Sequence, residues 1–140
     1  MLFPKKVKFR KWHKSRRNIE GSKETRGVEI SFGSFGLKAL SSARIKSNQI
    51  ESARRAMVRH LGKTGRMWLR IFPDRPFTQK AAETPMGKGK GEPAGYEVQV
   101  KPGRVIFEVD GVTDVVARES LRKAGTKLPI KTRVVSREHV

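Results

Sequence analysis

Tyr96, Val98 and Val100 alternate with Glu97, Gln99 and Lys101, and beyond Pro102-Gly103 the chain resumes as Val105-Ile106-Phe107-Glu108-Val109. Period-two alternation puts one set of side chains on each face of an extended chain, and Pro-Gly is a tight-turn pair. The two runs are expected to form a β-hairpin, which places a sheet at the centre of the fold. Val28-Glu29-Ile30-Ser31-Phe32 reads as a half-buried strand. Gly33-Ser34 turns the chain into a second extended run, Phe35 to Leu40. Met67 to Phe72 is a further strand closed by Pro73-Asp74-Arg75-Pro76, residues 78–95 are irregular, and Ile130 to Val135 can form the last strand.

Two segments carry the helical period instead. From Asn48 to Leu61, the residues Ile50, Ala53, Met57 and Leu61 share one face, with Arg55 and Arg59 opposite. Asn48 with Glu51, or Ser47, supplies an N-terminal cap, and Gly62 a stop. The second helix runs from Asp114 to about Ala124, capped by Thr113, with Val116, Ala117, Ser120, Leu121 and Ala124 facing inward. Pro129 blocks its continuation. The order β, β, α, β, hairpin, α, β lacks regular βαβ alternation. It predicts an α+β fold, an antiparallel or mixed sheet with two helices packed on one face.

Residues 1–27 differ from the rest. Lys5, Lys6, Lys8, Arg10, Lys11, Lys14, Arg16, Arg17, Lys23 and Arg26 face only Glu20 and Glu24, and no apolar period persists. Such a segment is expected to be a basic arm, mobile until it meets a partner. Residues 28–140 then form a single domain with a Gly/Lys loop at 78–95. Over the 140 residues, 32 Lys and Arg against 13 Asp and Glu give a formal charge of +19. A chain so charged repels itself unless a polyanion neutralises it, and nucleic acid is the commonest such partner. Trp12 and His13 lie among the arm's cations, where an aromatic ring suits stacking on an unpaired base; packing back on the domain is the alternative.

Catalysis finds no constellation. There is no cysteine, and His13, His60 and His139 lack metal-ligand spacing. Gly62-Lys63-Thr64 resembles the end of a phosphate loop, but Met57 stands where its first glycine belongs. No catalytic residue, metal or cofactor is expected, and no apolar run approaches the length of a membrane span. Met86-Gly87-Lys88-Gly89-Lys90-Gly91 is no dinucleotide fingerprint. Its glycines let backbone N–H groups approach an anion, and Lys88 and Lys90 add charge, which suits a phosphate backbone.

Several blocks in order carry a family likeness. Met1-Leu2-Phe3-Pro4-Lys5-Lys6, Ser31-Phe32-Gly33-Ser34-Phe35-Gly36-Leu37-Lys38-Ala39, Gln49-Ile50-Glu51-Ser52-Ala53-Arg54-Arg55-Ala56-Met57, Gly65 through Pro76, the Gly/Lys loop and Lys127 through Thr132 resemble the bacterial-type large-subunit ribosomal protein sixteen family. The resemblance implies a compact hammerhead-type α/β fold bound to large-subunit ribosomal RNA near the aminoacyl site. It also implies contact with transfer RNA and neighbouring ribosomal proteins, support of late subunit assembly, and residence in a cytoplasmic or organellar ribosome. No membrane contact or homo-oligomer is expected. Pro85 stands where the family usually has Arg, and Gly95-Tyr96 replaces an aromatic-rich segment. The residues expected on RNA are Lys5, Lys6, Lys8, Arg10, Lys11, Trp12, His13, Lys14, Arg16, Arg17, Arg55, Arg59, Lys88 and Lys90, with Gly87, Gly89 and Gly91 admitting phosphate to the backbone. A free-standing nucleic-acid regulator lacks a groove-reading module here. A basic membrane-surface protein would need an aromatic anchor on its helix.

Overall fold

A computed structural model describes residues 1–14 and 21–137. The described chain is α+β, with seven strands in two antiparallel sheets and two helices. The elements are β1 (Phe35–Ala39), β2 (Ala43–Lys46), α1 (Ser47–Leu61), β3 (Arg66–Leu69), β4 (Arg75–Gln79), β5 (Glu92–Val100), β6 (Val105–Asp110), α2 (Asp114–Thr126) and β7 (Thr132–Ser136). The first sheet has the order β3-β6-β1-β7 and the second β2-β5-β4.

The expected hairpin does not form. The turn does: Arg104 N–H donates to the Lys101 carbonyl at 3.3 Å, and Gly103 takes φ +100°, as the third residue of a Pro-Gly turn requires. The strands on either side then separate, β5 pairing with β2 and β4 and β6 with β1 and β3. The physical reason lies in the second run. Val105 through Val109 are all buried, so β6 is covered on both faces and needs a strand at each edge as well. A run buried on both faces, with Glu108 its one polar side chain, belongs at the middle of a sheet.

Three further differences are local. Residues 28–32 form no strand, because the N–H groups of Ser31 and Phe32 donate to the Glu108 carboxylate (2.5 and 3.3 Å) instead of to a strand neighbour. Gly33 lies so close to β6 that a Cβ would sit 2.6 Å from the Val109 carbonyl oxygen. The short edge strand β2 was not legible in four residues. β4 falls partly where a closing turn was expected, its Pro76 tolerated because β4 is an edge strand.

The helices agree more closely with their pattern. Ile50, Ala53, Met57 and Leu61 of α1 are buried, as are Ala117, Ser120, Leu121 and Ala124 of α2; Val116 is half-buried. The first turn of α1 is closed by Gln49, whose Oε1 accepts from Lys46 N–H at 2.9 Å, in place of an Asn48 or Ser47 cap. The two helices pack on each other, α1 on β2 and β5 and α2 on β1, β6 and β7. One core joins Leu37, Ile45, Val100 and Phe107 to both helices. The sheet faces turned away from it are where charge collects.

Candidate nucleic-acid interface

On the second sheet, Ile45 and Val98 face the core, so Arg44 and Glu97 point to the outer face. The buried Glu97 carboxylate lies 3.9 Å from both Arg44 Nε and Arg75 Nε, holding the two arginines side by side across three strands. Residues 10–14 of the arm lie on this ladder without helix or strand of their own. Arg75 donates to the His13 carbonyl at 2.9 Å and places its guanidinium 5.6 Å from the Trp12 ring centroid. Lys90 donates to the Trp12 carbonyl, and Lys11 donates to the Lys90 carbonyl at 3.3 Å. Arg10 pairs with Glu92 at 2.6 Å. The result is a cleft of about 220 Å³ lined by Trp12, Lys14, Arg44, Arg75, Phe77 and Lys90, with Glu97 as its acid. Trp12 thus packs on Arg75 and still keeps 42% of its surface exposed.

The Gly/Lys loop approaches the same edge. Gly87, Lys88 and Gly89 have φ of +97°, +60° and +101°, a run of left-handed backbone in which Lys88 is the one non-glycine at positive φ among the described residues. Glycine adopts these angles without steric cost, and open space surrounds Gly87 and Gly89. Gly91 differs. A Cβ there would meet the Gln79 carbonyl carbon at 2.9 Å, so its missing side chain serves the packing of the loop on β4. Lys80 donates to the Gly87 carbonyl across the loop base.

The structure therefore brings together Lys11, Trp12, His13, Lys14 and Lys90 of the sequence-expected residues. Lys5, Lys6, Lys8 and Lys88 are exposed, and none forms an ion pair with another described residue. Arg16 and Arg17 lie outside the described residues. Arg55 and Arg59 are elsewhere, on the exposed side of α1, with the core between them and the cleft. Arg55 pairs with Glu51 at 3.2 Å. Arg54, bonded to the same carboxylate, is the main cause that lowers the Glu51 pKa to about 2. Arg44, Arg75 and Glu97 were missed by sequence reasoning. Arg44 beside Ile45 and Glu97 beside Val98 each put a charge next to a core position, a signal that becomes a site only once the pairing of their strands is known.

No cluster of three or more metal-ligating side chains occurs among the described residues, and no described helix is long and apolar enough to cross a membrane. Fold and surface together define a small basic α+β protein that gathers cations and aromatic rings on one sheet face. The comparisons narrow this class. The model of the family described as ribosomal protein L16p/L10e matches residues 4–135. The chain is 56% identical over 137 residues to a protein of Afipia carboxidovorans, covering 98% of each chain, and 57% identical with the same coverage to one of Rhodopseudomonas palustris strain BisB18. Both relatives are called large ribosomal subunit protein uL16. The chain belongs to the ribosomal protein L16p/L10e family. It is a ribosomal protein and not an enzyme.

Proposed function

We propose that this chain is a structural constituent of the large ribosomal subunit in the cytoplasm. In this reading it binds large-subunit ribosomal RNA near the aminoacyl-transfer-RNA site through the arm and the Gly/Lys loop. The observation that carries the RNA contact is the cleft, where Lys14, Arg44, Arg75 and Lys90 meet one acid beside an exposed tryptophan. Phosphate takes up the charge, and rings and guanidinium planes suit unpaired bases. The names of the relatives support the ribosomal setting. Contact with transfer RNA, and support of late subunit assembly and translation, follow from the family likeness of the arm and loop blocks. RNA would do the chemistry, and the protein would hold its shape by neutralising phosphates.

The test is salt dependence. With about six or more cations on phosphate, affinity for a large-subunit RNA fragment falls by roughly a thousandfold or more between 50 and 200 mM salt. Filter binding or fluorescence anisotropy across that range checks it. A flat response would show that the +19 charge is not the binding device.

A further inference from the structure

The outer face of the first sheet has features that the cleft does not use. Met67 and Leu69 of β3 pack against the core, which turns Trp68 outward beside its register partner Glu108. The Phe32 ring stacks on Trp68 with centroids 6.1 Å apart and planes 19° from parallel. The Arg70 guanidinium lies 5.0 Å from the same Phe32 ring and 2.9 Å from the Glu108 carboxylate. Phe32 nevertheless keeps 56% of its surface exposed. The fully buried Glu108 holds the backbone of Ser31 and Phe32, so the platform is in place before any ligand arrives.

Charge on this face is arranged unfavourably for the protein alone. Leu37 and Ala39 point into the core, so Lys38 points outward, directly opposite Arg133 on β7. Like charges directly opposite on neighbouring strands destabilise a sheet. Neither side chain forms an ion pair with another described residue. A third, negative charge would relieve them, while the carboxylate of Glu108 is already committed to Arg70.

We infer that the outer face of the first sheet is a second RNA site, separate from the cleft, that takes a short unpaired RNA segment with one base on the Phe32–Trp68 platform and the phosphate of a neighbouring nucleotide toward Lys38 and Arg133. The inference rests on the RNA-binding reading above and adds the class of RNA. A duplex hides its base faces, so the platform selects single-stranded RNA. A basic, aromatic-bearing face of this kind stacks bases with little regard to sequence.

A Trp12→Phe background leaves Trp68 as the remaining tryptophan of the chain, and every comparison is made in it. A single-stranded oligoadenylate is expected to quench Trp68 emission as it binds, whereas a duplex of equal length leaves the emission unchanged. Phe32→Ala should weaken single-strand binding on the order of tenfold, the loss of one stacked base, with duplex binding unaltered. Because Phe32→Ala could also loosen the platform, the pair Lys38→Gln and Arg133→Gln tests the same face from solvent and should weaken the single strand selectively too. Binding seen by anisotropy without a change in Trp68 emission would overturn the site. So would Phe32→Ala and the double glutamine variant both binding the single strand like the parent while Lys88→Ala/Lys90→Ala loses affinity. Recovery of a protein on this face, with RNA affinity untouched by the variants, overturns it as well. If the parent binds no RNA at all, the RNA reading itself fails.

Discussion

On the first sheet the outer face is partly covered by residues 30–32, whose backbone is held by a carboxylate with no exposed surface. On the second, it is crossed by residues 11–14, held by long cationic side chains reaching to carbonyl oxygens at an exposed surface. The first arrangement concentrates interaction energy in one desolvated group, where losing a partner is costly. The second spreads it over contacts that water can replace at little cost. One face is therefore set when the chain folds. The other keeps Lys11 and Lys90 available to phosphate, because carbonyl partners leave their charge uncompensated.

The largest expected effect breaks the first face. Glu108→Ala removes the acceptor of two backbone N–H groups and the partner of Arg70, and should lower stability by about 3 kcal/mol in a denaturant melt. A loss below about 0.5 kcal/mol would mean the two faces are held alike. Replacing Lys88 and Lys90 together by Ala is expected to leave the melt within about 0.5 kcal/mol of the parent, since both are exposed. The same change should reduce RNA affinity and, in reconstituted subunits, aminoacyl-site transfer-RNA binding. An early melt, or unimpaired binding, would make the loop a solvated connection.

The smallest effect sharpens the comparison within the arm. Glu24 N–H donates to the Pro102 carbonyl at 2.9 Å, and Val105 N–H donates to the Gly27 carbonyl at 2.8 Å, so the arm's end is tied to the turn before β6. Residues 1–14 have no regular structure. Hydrogen exchange in the free protein should show those amides poorly protected, the Glu24 and Val105 amides protected, and residues 1–14 slowed on the assembled subunit. Strong protection of residues 1–14 in isolation would contradict the expectation of an arm ordered by its partner.

Much of the local structure was legible in the sequence because its causes are local. The α1 stripe Ile50, Ala53, Met57 and Leu61, the Pro102-Gly103 turn and the extended runs around Val98 and Phe107 follow from periodicity and backbone chemistry. The net positive charge, which is independent of fold, was legible too, as was the family likeness, which the comparisons bear out. Strand partners were decided elsewhere. A run such as Val105 to Val109 states that both its faces are covered, but not by what, and adjacency across a tight turn favoured the wrong neighbour. The cleft was hidden for the same reason. Arg44, Arg75 and Glu97 are 31 and 22 residues apart in sequence, and they meet because β2 and β4 both pair with β5. Composition and periodicity thus determined both helices, most of the extended runs and the charge they carry. Which strands became neighbours, and so which cations and rings share a face, was decided by the burial of side chains from distant segments in one core, a quantity that no local window of sequence contains.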